Sequence, residues 1–584
     1  MGRKSAIRSR KNTHSSSTTT TNRVESVKSL LAASGIGGDS AEAAGWNGGG
    51  GGSQRSESAA SSAAESGDEA DAPAADFDDT HLIDARIDRF VVQQLVFSRV
   101  ILLSVQCIFN ALVADWPTDA FKGVEPTAPS SRDSAVQLLV GGLGRWDARQ
   151  FLHIGEFGYT WESNLAFFPL FPALLRLSGG AVRVFVGDLS LFNAMIVGGV
   201  VLNNVLFVVN GVLLFKLCAL LTKSTKESMI AVYVYCFNPA SVFFSAVYTE
   251  SLYFFFVLLA LNVLHGRSTS KKPAVGAVRR TKLTVDPLRL LTASFVLSFA
   301  FLTRSNGLLN VGYVWWPLCL EILTVRDAAG RLQLDSSFWS VCEKTIKRAA
   351  LLLACFAVVV LPLRIFGWAM EERFCNSVTL RVDDRLQPLL FNQSNRVLPG
   401  DLEHLQWCRP EQPPSFLTPA YYSPIQEKYW DVGLFAYWQW RKLPMFLFAL
   451  PTLLFVLYAT VDLLFDLGMD SRSSLAEMLA DTRLLASFVA HSALIAACGV
   501  FVYNVEVSTR MLYSSSPLLY IVLARIMAAQ TPRIEVPEDL LVPSVLPFFA
   551  NYIFVRPLHF AMMSYLLGYF FVGTMLHVNW LPFV

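Results

Sequence analysis

The sequence predicts an all-α polytopic membrane protein of about eleven transmembrane helices, with luminal loops and interfacial helices. Three features support this fold class. Hydrophobic residues make up 53% of the chain and charged residues only 16%, whereas a soluble domain carries about 25% charged residues. The mean hydropathy is +0.42. Apolar runs that are long enough to cross a bilayer recur along the chain. This composition excludes an ordinary soluble domain.

Apolar segments of about 20 residues define the predicted membrane spans. They lie near 92–114, 190–218, 229–247, 250–265, 289–306, 308–326, 348–370, 444–468, 483–503, 510–529 and 556–577. Residues 165–187 are also apolar, but prolines and glycines interrupt them and they include Arg176 and Arg183. We therefore expect this segment to be interfacial or re-entrant rather than spanning.

The amino-terminal region differs in composition from the rest of the chain. Residues 1–80 open with basic residues and continue through a Ser/Thr run, a glycine run and an acidic patch. Such a low-complexity segment cannot bury a core and is expected to be disordered. The sequence thus predicts a tail at 1–80 and a membrane domain at 81–584.

The charge of the short loops predicts the orientation. The loop near 266–289 contains seven Lys or Arg residues and one acid, Asp286, and positively charged loops face the cytoplasm. The tail is then cytoplasmic as well. A first loop at 115–189 and a second loop at 371–443 face the lumen. An N-x-S sequon begins at Asn392 in the second loop, so Asn392 is a predicted N-glycosylation site.

The cysteines and the charge pattern exclude several function classes. Nine cysteines occur without the close pairing of zinc or redox motifs, and we predict no metal site. Cys375 and Cys408 share the second loop and form a possible disulfide if that loop faces an oxidising lumen. The chain has no basic stripe of the kind that nucleic acid requires, so we expect no nucleic-acid partner.

The most informative stretch covers residues 145–172. It opens with Trp146 and Asp147, continues through His153 and Glu156, and ends in an apolar segment punctuated by prolines. Charged clusters between membrane segments are energetically costly and therefore indicate function. Aromatic rings beside them offer flat surfaces for a sugar. We interpret Asp147 as the catalytic base of a site at the membrane surface.

The spacing of the motif limits its chemistry. Asp147 and Glu156 are nine residues apart and would point to opposite faces of one helix, which argues against a glycosidase pair. His153 and Glu156 could hydrogen-bond each other or form part of a metal site, but two ligands are a weak metal signal. A single general base fits best. It suits a reaction whose leaving group needs no proton, such as a phosphate.

Four further polar clusters fall on the same predicted side of the membrane. They are Tyr248-Thr249-Glu250-Ser251, Arg304-Ser305-Asn306-Gly307, the aromatic loop from Trp430 to Lys442, and the segment from Asn504 to Arg510. An active site requires that the helical bundle bring them together. Arg304 and Arg510 could hold a phosphate bidentately, although a structural ion-pair role is a comparable alternative.

These motifs resemble the PIG-V family of GPI mannosyltransferases. The 145–172 stretch is similar to the signature of that family, and the resemblance extends in the same order to the carboxyl terminus. The other similar segments are Phe237-Asn238-Pro239-Ala240-Ser241, Tyr248-Thr249-Glu250-Ser251, Arg304-Ser305-Asn306-Gly307, Trp430-Asp431-Val432-Gly433-Leu434, Arg441-Lys442-Leu443-Pro444, Ser508-Thr509-Arg510, Ser515-Ser516-Pro517 and Leu576-His577-Val578-Asn579-Trp580-Leu581-Pro582.

The resemblance implies a fold, a reaction and a location. The fold is a GT-C-like helical bundle in the endoplasmic reticulum membrane with a luminal active site. The reaction transfers mannose from dolichyl-phosphate-mannose to the first mannose of the GPI lipid precursor, forming an α-1,6 bond with inversion. No cofactor is expected, because the departing phosphate needs neither a metal nor a general acid. A small accessory membrane subunit is a further expected partner.

The resemblance also assigns the candidate residues. Asp147 lies in the first loop, where GT-C enzymes carry their catalytic acidic residue. The candidate substrate-binding residues are Arg145, Trp146, His153, Glu156, Tyr248, Glu250, Arg304, Asn306 and Arg510. Beside the site, Phe167, Phe168 and Phe171 could line the path of a dolichyl chain, although ordinary helix packing explains them as well.

Three alternatives stay open from the sequence. The first is another GT-C transferase that uses a dolichyl-phosphate sugar. The second is a lipid or sugar transporter, which would carry polar residues at the membrane midplane; Arg99, Glu321 and Asp462 are the candidates. The third is a non-catalytic subunit of GPI assembly, which would not need Asp147.

Overall fold

Helices make up most of the structure, a computed structural model that describes residues 85–124, 129–266, 286–327, 331–376, 383–387, 396–409, 417–469, 475–481, 485–529, 544–553 and 556–583. The predicted tail and the sequon at Asn392 lie outside these ranges. In chain order the α-helices are α1 (Ala85–Leu112), α2 (Ser131–Val140), α3 (Asp147–Phe157), α4 (Leu170–Phe185), α5 (Leu191–Thr222), α6 (Thr225–Cys236), α7 (Glu250–His265), α8 (Pro287–Thr303), α9 (Val311–Leu323), α10 (Phe338–Cys375), α11 (Tyr422–Trp430), α12 (Leu443–Met469), α13 (Leu475–Ala480), α14 (Ala486–Phe501), α15 (Ser508–Ser515), α16 (Leu518–Ala528), α17 (Val545–Ile553) and α18 (Pro557–Val578).

Several of these helices are long and apolar enough to cross a membrane. Among the described residues five qualify, namely α1, α5, α10, α12 and α18. The segment containing α15 and the helix α16 pass together as a sixth, bent by 77°. The shorter apolar helices α7, α8 and α14 lie between them in the chain. The chain is thus a multi-pass membrane protein, and the predicted number of about eleven spans is not confirmed.

The predicted span at 229–247 is wrong as a single helix. Helix α6 ends at Cys236, and turns follow up to residue 249. Proline lacks an amide donor and breaks a helix. Here the side chain of Asn238, which precedes Pro239, accepts a hydrogen bond from the Ala240 amide at 3.0 Å and so closes a turn. These turns lead the chain to the start of α7, where Glu250 lies.

Arg99 holds this turn from the side of α1. Its guanidinium donates to the Cys236 carbonyl and the Ser241 hydroxyl, each at 2.7 Å, and lies 3.7 Å from the Phe207 ring centroid. Arg99 is buried, and these contacts satisfy a charge that would otherwise be very costly there. They give it a structural role and remove it as a candidate for a polar transport path.

Two other predicted spans also differ from the structure. The 510–529 span is interrupted between α15 and α16 at Ser516 and Pro517. The 308–326 span contains α9 and ends in strand β1 (Thr324–Arg326), which pairs antiparallel with β2 (Leu332–Leu334). The described chain is therefore predominantly but not purely helical.

Helix α4 corresponds to the segment that was expected to be interfacial or re-entrant. It has 16 residues, fewer than the 20 or so that a straight span requires. Phe171 and Leu175 are fully buried, whereas Leu177 and Phe185 are exposed. One apolar face thus packs into the protein and a second is left uncovered, which fits an interfacial helix.

A buried carboxylate ties the first loop to α5. Asp133 in α2 accepts hydrogen bonds from the Ser190 hydroxyl and the Asn193 amide, each at 2.6 Å, and from the Ser130 amide at 2.9 Å. Burial alone would raise the pKa of Asp133, but these hydrogen bonds outweigh it and hold the pKa well below its usual range. The loop that precedes α3 is thereby fixed to the helical bundle.

The first and second loops pack against each other in a separate small core. Ile154 and Leu165 from the first loop contact Leu405, Tyr421 and Ile425 from the second. The Cys375–Cys408 disulfide closes the second loop, with Cα atoms 5.5 Å apart. Two regions more than 200 residues apart in the chain therefore pack together beside the carboxyl end of α3.

Candidate active site

A tight turn starts α3 at Asp147. The preceding residue, Trp146, has φ 59° and ψ −129°, a conformation that costs a non-glycine residue of order 1–3 kcal/mol. Its ring packs against Trp580 at a centroid distance of 5.6 Å. The Asp147 amide donates to the Tyr248 hydroxyl at 3.1 Å. Contacts from distant parts of the chain thus hold Asp147 at the first position of the helix.

Asp147 belongs to a network of four charged side chains. Arg510 Nη2 donates to Asp147 Oδ2 at 2.9 Å, and Arg510 Nη1 lies 3.7 Å from Glu250 Oε1. The same Glu250 oxygen accepts a hydrogen bond from Arg304 Nη1 at 2.7 Å. Two carboxylates and two guanidiniums therefore alternate and balance one another in charge, which lowers the cost of removing them from water.

The two carboxylates of this network differ in exposure. The Glu250 side chain is completely buried, and its Oε2 atom accepts no hydrogen bond from any residue in the described ranges. The Asp147 side chain is 37% exposed. Asp147 can therefore meet a substrate, whereas Glu250 can only hold the two arginines in place.

The exposed side of the network faces a cavity of about 350 Å³. In chain order, its lining begins with Asp147, Phe151, Ala166, Phe167, Phe168, Tyr248, Thr249, Thr303, Arg304 and Ser305. The lining residues that follow in the chain are Asn306, Tyr422, Ser423, Gln426, Trp430, Val432, Val502, Tyr503, Asn504, Val507, Arg510 and Met511. Charged groups thus share this cavity with aromatic rings and neutral polar side chains.

Half of the residues predicted from the sequence line this cavity. They are Asp147, Tyr248, Arg304, Asn306 and Arg510. Glu250 lies behind the arginines, and the Asn306 amide donates to the Ser515 hydroxyl at 2.8 Å. The structure therefore brings together the Asp147, Tyr248, Arg304 and Arg510 clusters, as an active site requires.

Arg145 and Trp146 lie outside the cavity lining. The Arg145 guanidinium pairs with Asp115 and donates to Asn110 Oδ1 at 2.8 Å, and Trp146 packs on Trp580. Both residues brace the turn that precedes Asp147. The expectation that they contact substrate directly is not supported by this arrangement, because their side chains are committed to the protein.

His153 and Glu156 also lie outside the cavity lining. His153 stacks on Trp161 at 4.2 Å and hydrogen-bonds Thr160 through Nε2 at 2.7 Å, while Glu156 pairs with Arg385 at 2.7 Å. Burial, reinforced by the nearby charge of Arg396, lowers the pKa of His153 to about 3, so this imidazole is neutral. The predicted contact between His153 and Glu156 is not formed, because each side chain has another partner.

The phenylalanines that follow the motif separate into two groups. Phe167 and Phe168 line the cavity. Phe171 is fully buried and packs edge-on against Phe151 at 5.2 Å. Only the first two can therefore contact a lipid or sugar in the cavity, and Phe171 belongs to ordinary core packing.

One part of the cavity lining was not predicted from the sequence. Helix α11, in the second loop, contributes Tyr422, Ser423, Gln426 and Trp430 to the lining. Trp430 belongs to a segment that the sequence flagged, whereas the other three do not. The sequence contains one indication of this face. Tyr422, Gln426 and Trp430 follow the helical spacing i, i+4 and i+8, which places these three on one side of the helix. That spacing does not indicate which other part of the chain the face meets.

Comparison with known proteins identifies the family. The model of the mannosyltransferase (PIG-V) family matches residues 87–584. GPI alpha-1,6-mannosyltransferase 2 of Rattus norvegicus is 30% identical over 524 residues, covering 84% of this chain and 98% of the relative. The protein of the same description in Homo sapiens is 28% identical over 520 residues, with the same coverage. GPI mannosyltransferase 2 of Drosophila melanogaster is 30% identical over 446 residues, covering 74% of this chain and 89% of the relative.

Among solved structures, an oligosaccharyltransferase of Archaeoglobus fulgidus overlaps with a TM-score of 0.35 at 11% identity, covering 82% of this chain and 55% of that one. The family match extends from residue 87, near the start of α1, to residue 584 and includes every residue that lines the cavity. The chain belongs to the PIG-V family of mannosyltransferases.

Proposed function

We propose that this protein transfers mannose from dolichyl-phosphate-mannose to the first mannose of the GPI precursor, forming an α-1,6 bond with inversion at the anomeric carbon. Membership of the PIG-V family supports the reaction class, and the names of the relatives support the acceptor and the linkage. The single observation that carries the mechanism is the cavity in which Asp147 meets Arg304 and Arg510.

Asp147 acts as the general base in this proposal. One of its carboxylate oxygens is bonded to Arg510, and the side chain is partly open to the cavity. The acceptor hydroxyl oxygen attacks C1 of the donor mannose, its proton passes to Asp147, and the bond between C1 and the phosphate oxygen breaks. Attack on the face opposite the phosphate converts the β-linked donor into an α-linked product. A positioned base of this kind contributes about 10²–10⁴-fold to rate.

Arg304 is the principal partner of the donor phosphate. A guanidinium has five N–H donors, and among the described residues the Arg304 side chain uses one, toward Glu250. Its remaining donors are available at the cavity wall. Arg510 is engaged with both Asp147 and Glu250, so it contributes mainly charge. Together they stabilise the negative charge that develops on the leaving dolichyl phosphate.

The proposed reaction requires no cofactor. The leaving group departs as a phosphate and needs no proton from a general acid. The N–H donors of the guanidiniums, above all those of Arg304, would bind the phosphate where other phosphate sites use a metal ion. The ligand that the site needs is therefore the donor itself, whose lipid chain would pass along Phe167 and Phe168.

We further propose that the cavity opens to the lumen of the endoplasmic reticulum, within a GT-C-like bundle whose amino-terminal tail is cytoplasmic. The Cys375–Cys408 disulfide supports this side, because disulfides persist in oxidising compartments. Both cysteines belong to the second loop, which packs on the first loop beside the cavity. The basic loop near 266–289 then faces the cytoplasm.

Mass spectrometry of GPI intermediates in cells lacking this protein tests the proposal. The one-mannose precursor is expected to accumulate and to disappear when the protein is expressed again. The purified protein should form an α-1,6 product from that precursor with dolichyl-phosphate-mannose and none with a nucleotide-linked mannose. A complete set of intermediates in the deficient cells, or transfer from the nucleotide sugar, would overturn it.

A further inference from the structure

Helix α11 presents a continuous face to the cavity. Tyr422, Ser423, Gln426 and Trp430 all line it. Helix α11 has nine residues, so this face extends for about 12 Å at 1.5 Å per residue. A wall of this length is greater than a single pyranose ring requires.

The side chains on this face are neutral and suited to a carbohydrate. Aromatic rings occupy both ends, where Tyr422 packs edge-on against Phe168 at 5.3 Å and Trp430 against Phe167 at 5.8 Å. The amide of Gln426 lies between them, and it forms no side-chain hydrogen bond with the residues that the structure describes. The aromatic rings can stack on the apolar faces of a sugar. The amide, which has both donors and an acceptor, can hydrogen-bond its hydroxyls.

A further polar atom is available elsewhere in the cavity lining. Asn504 lines the same cavity, and its buried Oδ1 atom accepts no hydrogen bond within the described part of the chain. A buried polar atom without a partner is costly and is usually satisfied by a ligand or water. A hydroxyl-rich ligand between α11 and Asn504 would satisfy it.

Two other residues of α11, Lys428 and Tyr429, are bound to the first loop. Glu162, itself buried, accepts hydrogen bonds from Lys428 at 2.5 Å, from Tyr429 at 2.8 Å and from Trp407 at 2.9 Å. These charge-assisted bonds hold α11 against the first loop. The cavity face of α11 is therefore preorganised, as a recognition surface should be.

We propose that the cavity face of α11 binds the glycan of the acceptor, with Trp430 and Tyr422 as stacking surfaces and Gln426 as the central hydrogen-bonding group. This inference rests on the proposed function. Trp430 contacts Phe167, which packs on Phe151 at 5.2 Å, and Phe151 lies one helical turn after Asp147. The wall thus reaches the side of the cavity that holds the base, and the base must touch the acceptor hydroxyl.

Steady-state kinetics of the purified full chain test this assignment, with the one-mannose acceptor and dolichyl-phosphate-mannose varied separately. Trp430→Ala is expected to raise the KM for the acceptor about tenfold, and Gln426→Ala about fivefold. The KM for the donor should stay within about twofold of the wild-type value. Trp430→Phe should recover most of the acceptor affinity, because it keeps a stacking surface. Glu427→Gln is the matched control, since Glu427 is exposed on α11 and is not part of the lining.

The possible outcomes separate this inference from the proposed function. Absence of mannose transfer by the wild-type protein contradicts the function itself. If Trp430→Ala and Gln426→Ala both transfer mannose with an unchanged KM for the acceptor, the inference is wrong but the proposed function stands. The same holds if only the KM for the donor increases. If Trp430→Ala lowers the melting temperature, Gln426→Ala decides the matter, because it removes only an amide at the cavity surface.

Discussion

The two ends of α3 carry similar polar residues but lie in different surroundings. At the amino end, Asp147 faces the cavity and has 37% of its side chain exposed. At the other end, Glu156 is paired with Arg385 and its side chain is only 9% exposed, while His153 is stacked and buried. Nine residues of helix turn the two carboxylates to opposite faces. A contiguous polar motif can therefore contain one residue that faces the cavity and several that are bound within the protein.

The largest expected effect concerns the amino end of α3. Asp147→Asn keeps the shape and the helix start but cannot accept the acceptor proton, so kcat should fall about a thousandfold. Binding of dolichyl-phosphate-mannose should persist, because the phosphate contacts arise from the arginines. Transfer assays with purified protein at saturating substrates measure the first effect, and donor titration measures the second. Activity within tenfold of wild type would remove Asp147 as the base.

The next largest effect concerns Arg304, which lines the cavity together with Asp147. Arg304→Ala removes a preorganised donor from the phosphate and should lower kcat/KM for the donor about a hundredfold. The kcat/KM of Arg304→Lys for the donor should lie between the values of Arg304→Ala and wild type, since lysine retains the charge but lacks the planar guanidinium. Kinetics with the donor varied measure both. If only the kcat/KM for the acceptor decreased, Arg304 would not be the partner of the donor phosphate.

A smaller effect is expected from the contact between α11 and Glu162 of the first loop. Glu162→Gln weakens the charge-assisted bonds to Lys428 and Tyr429 and should let α11 shift. The KM for the acceptor should then rise about fivefold, with the KM for the donor unchanged. A general loss of structure would alter both KM values and the melting temperature together, so this split identifies a positioning role for Glu162.

The smallest effect is expected at the carboxyl end of α3. Glu156→Gln breaks a pair whose arginine is 54% exposed, and such pairs contribute little. Both kcat and the two KM values should stay within about twofold of wild type. The same assays as for Asp147→Asn apply. A hundredfold loss would mean that both ends of α3 take part in the reaction.

Sequence reasoning named the charged residues that line the cavity. Asp147, Arg304 and Arg510 stand out because charged residues beside membrane segments are rare and costly. Their convergence required the bundle, and the network through Glu250 shows how it is achieved. Trp146 was expected at the substrate, yet its unusual backbone and its contact with Trp580 show a bracing role that composition alone does not reveal.

The parts that sequence reasoning missed depend on long-range packing. Gln426 and Tyr422 lie in a polar loop with no apolar pattern, and more than 250 residues separate them from Asp147. Among the spans, the 229–247 run was apolar enough to cross a membrane, but Asn238 and Pro239 end the helix early. Hydropathy reports composition and does not register such a turn.

An experimental structure of the Asp147→Asn protein with both substrates bound tests the central claim most directly, because the variant should hold them without reacting. The account predicts the donor phosphate within hydrogen-bonding distance of Arg304 and an acceptor hydroxyl beside residue 147. The acceptor glycan should lie along Trp430 and Gln426. Substrates bound elsewhere, for example beside His153 and Glu156, would contradict it.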